Sequence, residues 1–281
     1  MQGRPVLIDD ETSLFSRSEF LEGRHDAPGG ERRNARIRSM LRRLLPSTDA
    51  NLKAGQSYRL LSSLLTEINP RARVLMVGAG DGGTGASPLT AGNTFELLRS
   101  DVFVGPSVDL VCDAHALPFE DGSFDGVVIQ AVLEHLIDPA RCVAEIHRVL
   151  RPDGLVFAET PFMQQVHMGA YDFTRYTVVG HRRLFRQFER IDDGACCGPG
   201  MALAWAWRYF LCSFTRGPMT HRIATAIARL TSFWLVWFDR FLIDRSAAQD
   251  AASGVYFIGR RAATPIADRE IVASYRGAIG H

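Results

Sequence analysis

The chain has 281 residues, 46% hydrophobic and 22% charged, with a net charge of +1. That length accommodates a full α/β enzyme core or one domain with an appendage. The composition excludes a disordered or fibrous chain, and the near-neutral charge gives no reason to expect a nucleic-acid partner. The five cysteines (Cys112, Cys142, Cys196, Cys197 and Cys212) show neither C-x-x-C nor zinc-type Cys/His spacing. Reduced thiols, a cytoplasmic location and no metal site are therefore expected. The opening Met1–Asp10 lacks the basic start and apolar run of a secretory signal.

Residues 1–30 mix charges, Gly and Pro without periodicity and read as an irregular arm. Over 31–45, Ile37, Met40, Leu41, Leu44 and Leu45 fall at helical spacing among six arginines, which predicts a basic amphipathic helix stopped by Pro46. Such a helix packs with a solvated arginine face, rests on an anionic membrane surface or captures an anionic substrate. Ser47, Thr48, Asp49 and Asn51 offer caps for a second helix with apolar face Tyr58, Leu61, Leu64, Leu65 and Ile68, ended by Asn69-Pro70.

Val74–Val77 is an apolar run that breaks into Gly78, Gly80, Gly82 and Gly83, the pattern of a buried parallel strand entering a loop whose backbone approaches a ligand closely. The glycines fit a dinucleotide pattern and a G-x-G-x-G pattern equally. Ala86–Asn93 is a poor helix, which weakens the dinucleotide reading because a pyrophosphate needs a helix N-terminus there. A second strand is expected over Thr94–Leu98, with Asp101 just past its end and spaced to accept ribose hydroxyls. A third strand ends at Asp113, a fourth covers Phe124–Ile129, and Asp138-Pro139 opens a helix. Pro152-Asp-Gly154 then turns into a fifth strand, Leu155–Glu159. Alternating strands and helices predict a doubly wound, mostly parallel sheet with its ligand at the carboxyl edge.

Val77-Gly-Ala-Gly-Asp-Gly82, Asp113-Ala-His-Ala-Leu-Pro-Phe119, Ser123-Phe-Asp-Gly-Val-Val128, Val132-Leu-Glu-His135 and Arg148-Val-Leu-Arg-Pro-Asp-Gly154 stand in this order. Over about residues 72–162 the chain resembles the class I S-adenosylmethionine-dependent methyltransferases, in the type 11 group that includes quinone-biosynthesis and sugar O-methyltransferases. The resemblance implies a seven-stranded Rossmann-like sheet and S-adenosylmethionine as cofactor. It implies that Gly78, Ala79 and Gly80 line the methionine and ribose, Asp101 holds the ribose, Asp113 and Ala114 meet the adenine, and Gln130 lies beside the methionine moiety. The family's usual acid two residues before the first glycine is here Met76.

Methyl transfer needs alignment of a nucleophile and, for a hydroxyl, a base. His135 is the candidate, because its ordinary pKa lies near operating pH and it follows the fourth strand at the ligand edge; a backbone-bonded structural role is the alternative. His167, Tyr171 and Arg175, in the polar and aromatic stretch Pro161–Tyr176, are candidates for substrate contact, with Asp172 orienting a basic group. A helix over 178–187 and a sixth strand over Phe188–Ile191 precede a turn at Cys196–Gly200. Two apolar helices, 201–214 and 221–243, then carry all four tryptophans before a last strand at Gly254–Gly259.

Four parts are thus expected: 1–70, an arm with helices; 71–195, the methyltransferase core; 196–250, a hydrophobic helical insert; and 251–281, the last strand and tail. The expected activity is methylation of a small-molecule oxygen on a sugar, lipid-linked or other amphipathic acceptor. The insert would cap the site, contact a membrane at the inner face or form a homodimer. An NAD(P)-dependent oxidoreductase and a non-catalytic, membrane-associated cofactor-binding scaffold are the alternatives.

Overall fold

The computed structural model describes residues 4–11, 13–18, 46–80, 82–92 and 94–278; the basic helix expected over 31–45 lies outside them. The elements run β1 (Val6–Leu7), α1 (Ala54–Ile68), β2 (Arg73–Val77), α2 (Ser87–Thr90), β3 (Glu96–Asp101), β4 (Leu110–Cys112) and β5 (Phe124–Gln130). They continue α3 (Pro139–Val149), β6 (Leu150–Pro161), α4 (Val178–Leu184), β7 (Phe188–Cys197), α5 (Pro199–Cys212), α6 (Pro218–Ser232), α7 (Leu235–Leu242), α8 (Ser246–Asp250), β8 (Gly254–Arg261) and α9 (Asp268–Ala273). Single 3₁₀ turns occupy Leu133–His135 and Gly169–Tyr171.

The strands form one sheet in the order β1-β4-β3-β2-β5-β6-β8-β7. It is parallel except for β8, which runs antiparallel between β6 and β7. Alternation along β2 shows why the central strands are apolar throughout. Leu75 and Val77 face a layer built with Ile146 and Val149 of α3 and Phe185 and Phe188, whereas Val74 and Met76 face Tyr58, Leu61 and Leu65 of α1. A parallel strand covered on both sides has no polar face to show. Helix α1 buries those three side chains completely, and its first turn is tied by Ala54 N–H donating to the Asn51 side chain at 2.8 Å. Helix α3 begins as its sequence predicts: Pro139 stands in the first turn and the Asp138 carboxylate accepts from Arg141 N at 3.0 Å.

Among the described residues the sheet has eight strands, not seven. The additional strand comes from the arm read as irregular, where Val6 and Leu7 pair with Val111 and Cys112; two residues are too few to show an alternation. The second strand is displaced to Glu96–Asp101, so Asp101 is its last residue. The pattern misled because the strand contains a buried serine, Ser100, whose hydroxyl reaches the Met76 carbonyl at 3.4 Å. The sixth core strand extends to Cys197, placing Cys196 and Cys197 in a strand rather than a turn. Its acids are accommodated: Tyr256 donates to Asp192 at 2.8 Å, and Arg182 pairs with the buried Asp193. The insert comprises α5, α6, α7 and α8 between β7 and β8, because the second expected helix breaks at Phe233-Trp234. Among the described residues no helix is long and apolar enough to cross a membrane.

Candidate active site

The loop after β2 owes its form to two close approaches. Gly78 has φ +68°, and a Cβ there would stand 2.1 Å from a Val132 methyl carbon, so the position admits only glycine. Beyond it the loop is laced to the end of β3: Ala79 N donates to the Ser100 carbonyl at 2.9 Å and Gly80 N to Asp101 Oδ2 at 2.8 Å. Asp101 Oδ1 accepts from Phe103 N at 2.9 Å. Burial raises the Asp101 pKa, against these backbone hydrogen bonds.

Between this loop and the ends of β4 and β5 lies a cavity of about 400 Å³, within the size range of small-molecule and cofactor sites. Gly78, Gly80, Asp101, Asp113, Ala114, His135 and Tyr171, all singled out from sequence, line it. Asp113 directly follows β4 and accepts from Ser13 Oγ and from both the backbone N and Nδ1 of His115. Burial alone would raise its pKa, but the hydrogen bonds from His115 and Ser13 outweigh it and hold the carboxyl below its ordinary value. The arm thus reaches the site, and Phe15 covers it, edge-on to Phe103 at 5.8 Å and stacked on Tyr171 at 5.9 Å. Phe15, Phe103 and His115 were not anticipated. Phe15 had no signal in an aperiodic arm, whereas His115 lies inside a recognised motif.

Ala79 is buried behind the loop, and Gln130 stands outside the cavity lining. Gln130 accepts from the Tyr58 hydroxyl at 3.2 Å and donates to the Thr84 carbonyl and to Glu159, whose carboxylate also accepts from Asn51 at 2.8 Å. Gln130 and Tyr58 lie against the glycine loop, where a Cβ at Gly83 would stand 3.0 Å from Gln130 Oε1 and 3.2 Å from the Tyr58 oxygen.

At the other end of the cavity β5 passes through Ala131, at φ +54°, into the 3₁₀ turn Leu133–His135. The Glu134 carbonyl accepts from Phe173 and Thr174 N, which pins the loop after β6 to this turn. His135 Nδ1 meets the Tyr171 carbonyl at 2.7 Å, and His167 packs edge-on to it with ring centroids 5.0 Å apart. Burial lowers the pKa of both histidines. Glu134 is wholly buried, and burial pushes its carboxyl up to about 8. Sequence spacing gave no metal pattern, yet the fold brings Glu134, His135 and His167 together. Arg175 is a staple of the loop: it donates to Asp172 and to the carbonyls of Gln164, Thr174 and Gln165. Burial would raise Asp172, but those hydrogen bonds from Arg175 keep it well below the usual range. The insert covers the same loop, with Trp205 edge-on to His167 at 6.2 Å and the Tyr209 hydroxyl donating to the Val166 carbonyl.

A type 11 methyltransferase family, described as a methyltransferase domain, matches residues 76–158. The demethylmenaquinone methyltransferase of Renibacterium salmoninarum is 32% identical over 145 residues, covering 46% of this chain and 60% of that protein. A ubiquinone/menaquinone biosynthesis C-methyltransferase of Burkholderia mallei is 30% identical over 118 residues, covering 36% and 48%. The chain therefore spans about half the length of these curated relatives. Among solved structures, the 1,6-didemethyltoxoflavin-N1-methyltransferase of Burkholderia thailandensis is 16% identical and aligns over 73% of this chain and 78% of that one, with a TM-score of 0.43. The glycine loop, Asp101, Asp113 and the Glu134-His135 turn all lie inside the segment 76–158, which is similar to the type 11 methyltransferase domain.

Proposed function

We propose that this chain transfers a methyl group from S-adenosylmethionine to an oxygen of a small amphipathic acceptor, a sugar, a lipid-linked molecule or a similar metabolite. The observation that carries the reading is the cavity itself, with the glycine loop and Asp101 at one end and His135 with Tyr171 at the other. Its residues fit the cofactor. Gly78 and Gly80 leave room for the methionine and ribose, and each Asp101 oxygen retains a lone pair for a ribose hydroxyl beyond its backbone bond. Phe103 and Ala114, with Asp113, give the adenine an apolar bed and a polar edge. Gln130, through the Thr84 carbonyl and Gly83, sets the far side of the loop.

Bound there, the cofactor supplies an electrophilic methyl on its sulfonium. The chain's own tasks are to align the acceptor, exclude water and assist loss of the acceptor's proton, and His135 stands where that proton leaves. Phe15, Tyr171 and the insert close the acceptor end, while His167 and Arg175 shape it through the loop. The oxidoreductase alternative is disfavoured by α2, whose four residues give a pyrophosphate little helix dipole to bind.

The acceptor's amphipathic character is inferred from the insert. Helices α5, α6 and α7 and the turn between α5 and α6 expose Phe210, Phe214, Met219, Trp237, Phe238 and Phe241, far more apolar surface than scattered surface residues provide. Residues 199–250 hold six arginines and three aspartates; Asp239 is buried and Asp244 pairs with Lys53. An apolar face with an excess of arginine suits an anionic lipid surface.

The test is thermal unfolding with S-adenosylmethionine, S-adenosylhomocysteine and nicotinamide dinucleotides in parallel. The two adenosyl compounds should each stabilise by about 2.7 kcal/mol at a hundred times their dissociation constants. Stabilisation by a dinucleotide alone would overturn the reading. With an acceptor in hand, His135→Ala should lower kcat roughly 100-fold or more.

A further inference from the structure

We propose that Glu134, His135 and His167 form a site for a divalent transition-metal ion of the zinc class, at the acceptor end of the cavity. Three observations converge. Glu134 Oε1 lies 3.6 Å from His135 Nε2 and 3.7 Å from His167 Nε2, and the three donor atoms lie within 4.8 Å of one another. These separations are too long for hydrogen bonds. They approach the spacing of donors around a tetrahedral ion, since ligands about 2.1 Å from zinc stand roughly 3.4 Å apart.

The donors also face one another as ligands do. His135 directs Nδ1 at the Tyr171 carbonyl, 2.7 Å away, and His167 directs Nδ1 toward the Gln165 carbonyl and Asp172 Oδ2, each at 3.4 Å. With the ring protons held on the Nδ1 atoms, both Nε2 lone pairs turn inward. Outer carbonyl and carboxylate partners of this kind fix the tautomer of metal-binding histidines.

Glu134 supplies the third observation. Its side chain is wholly buried, and neither carboxylate oxygen has a hydrogen-bond partner among the described residues. A buried carboxyl without a partner is costly, and a cation between it and the two imidazoles removes that cost. The nearby Arg175 does not serve, because its guanidinium is committed to Asp172 and the surrounding carbonyls.

Two imidazoles and one carboxylate leave a coordination position open, as in catalytic rather than structural zinc sites. His135 lines the cavity, so the open position is accessible from the acceptor side. What the ion does there rests on the methyl-transfer reading, whereas its binding does not. An acceptor hydroxyl bound to the ion would lose its proton to solvent more readily. The oxygen lone pair would then form the C–O bond to the methyl carbon as the C–S bond breaks and its electrons remain on sulfur. His135 assists proton loss in this scheme as a ligand.

The full chain, freed of any affinity tag and stripped with a chelator, is dialysed against Zn²⁺ or Co²⁺. Bound metal is measured by elemental analysis, and cobalt geometry by its visible absorption. The expected result is one ion per chain with a tetrahedral cobalt spectrum, and at least about tenfold weaker binding in His167→Ala and in Glu134→Gln. His167 is only partly buried, its side chain 26% exposed, so its truncation leaves the core intact. Glu134→Gln retains the shape of the side chain. Failure of the wild type to bind either metal, or unchanged affinity in both variants, overturns the proposal. Cofactor stabilisation without metal binding defeats this inference alone; metal binding without cofactor stabilisation defeats the methyltransferase reading alone.

Discussion

Asp101 joins the glycine loop to the end of β3 with one carboxylate, accepting from Gly80 N and Phe103 N. Asp101→Ala strands both donors and removes the proposed ribose partner. It should cost about 1–3 kcal/mol of stability and weaken S-adenosylmethionine binding by about tenfold or more, read by urea unfolding and calorimetric titration. Glu159 predicts a pH dependence. Burial pushes its pKa up to about 7 despite hydrogen bonds from Gln130 and Asn51, against about 4.3 in an unfolded chain. A raised folded value means the stabilisation is complete below the unfolded pKa and is lost as pH rises through about 7. The wild-type Tm should therefore fall from about pH 4 to about pH 7 and level off above that, and Glu159→Gln should flatten that fall; an equally steep fall in the variant would assign it elsewhere. Asp101 and Gln130 were both legible as cofactor candidates, Asp101 from its spacing to the glycine loop and Gln130 from the family resemblance. That Gln130 would serve through a network with Tyr58 and Glu159 was not, because those partners lie 72 and 29 positions away.

Among elements, the insert shows how a residue's meaning changes with context. In sequence Asp239 merely interrupts an apolar run. In the structure it is buried and caps a different helix: its two oxygens accept from Gly200 N at 2.7 Å and Met201 N at 2.9 Å, in the first turn of α5. Burial raises its pKa against these hydrogen bonds. Gly200 is required at the same contact, since a Cβ there would stand 2.2 Å from the Leu235 carbonyl. Asp239→Ala should lower stability by about 1–3 kcal/mol and loosen α5 from α7, so that hydrogen exchange rises across both helices. Exchange confined to the first turn of α5 would show that the contact caps without tethering. The helices themselves were readable from composition, but their number was not, because the break at Phe233-Trp234 contains neither Gly nor Pro.

For the whole molecule the apolar face of the insert is the surface that calls for a partner. Phe214 and Phe241 are 73% and 76% exposed, and an anionic bilayer is the occupant argued above. The chain should pellet with vesicles containing phosphatidylserine, less with purely zwitterionic ones, and less again at high salt, which screens the arginines. Phe241→Ser with Trp237→Ser should reduce pelleting several-fold while leaving the Tm nearly unchanged, as both side chains are solvent-facing. No pelleting, together with a concentration-dependent dimer that the same double substitution dissociates, would give the face to a second copy of the chain.

The sequence by itself determined the alternating core, the glycine loop, the acids at the end of β3 and just past β4, and the resemblance to type 11 methyltransferases. These are local: strand burial, turn chemistry and cofactor approach each impose a residue type within a few positions. Only the tertiary structure decided the eighth strand, the cover of Phe15, the stapling role of Arg175 and the meeting of Glu134 and His135 with His167. Each joins segments distant in the chain, where packing selects partners and no periodicity records the choice. The Glu134-His135-His167 cluster illustrates the difference. Glu134 and His135 are neighbours in a 3₁₀ turn, but His167 arrives on a loop fixed by Arg175, Asp172 and the insert.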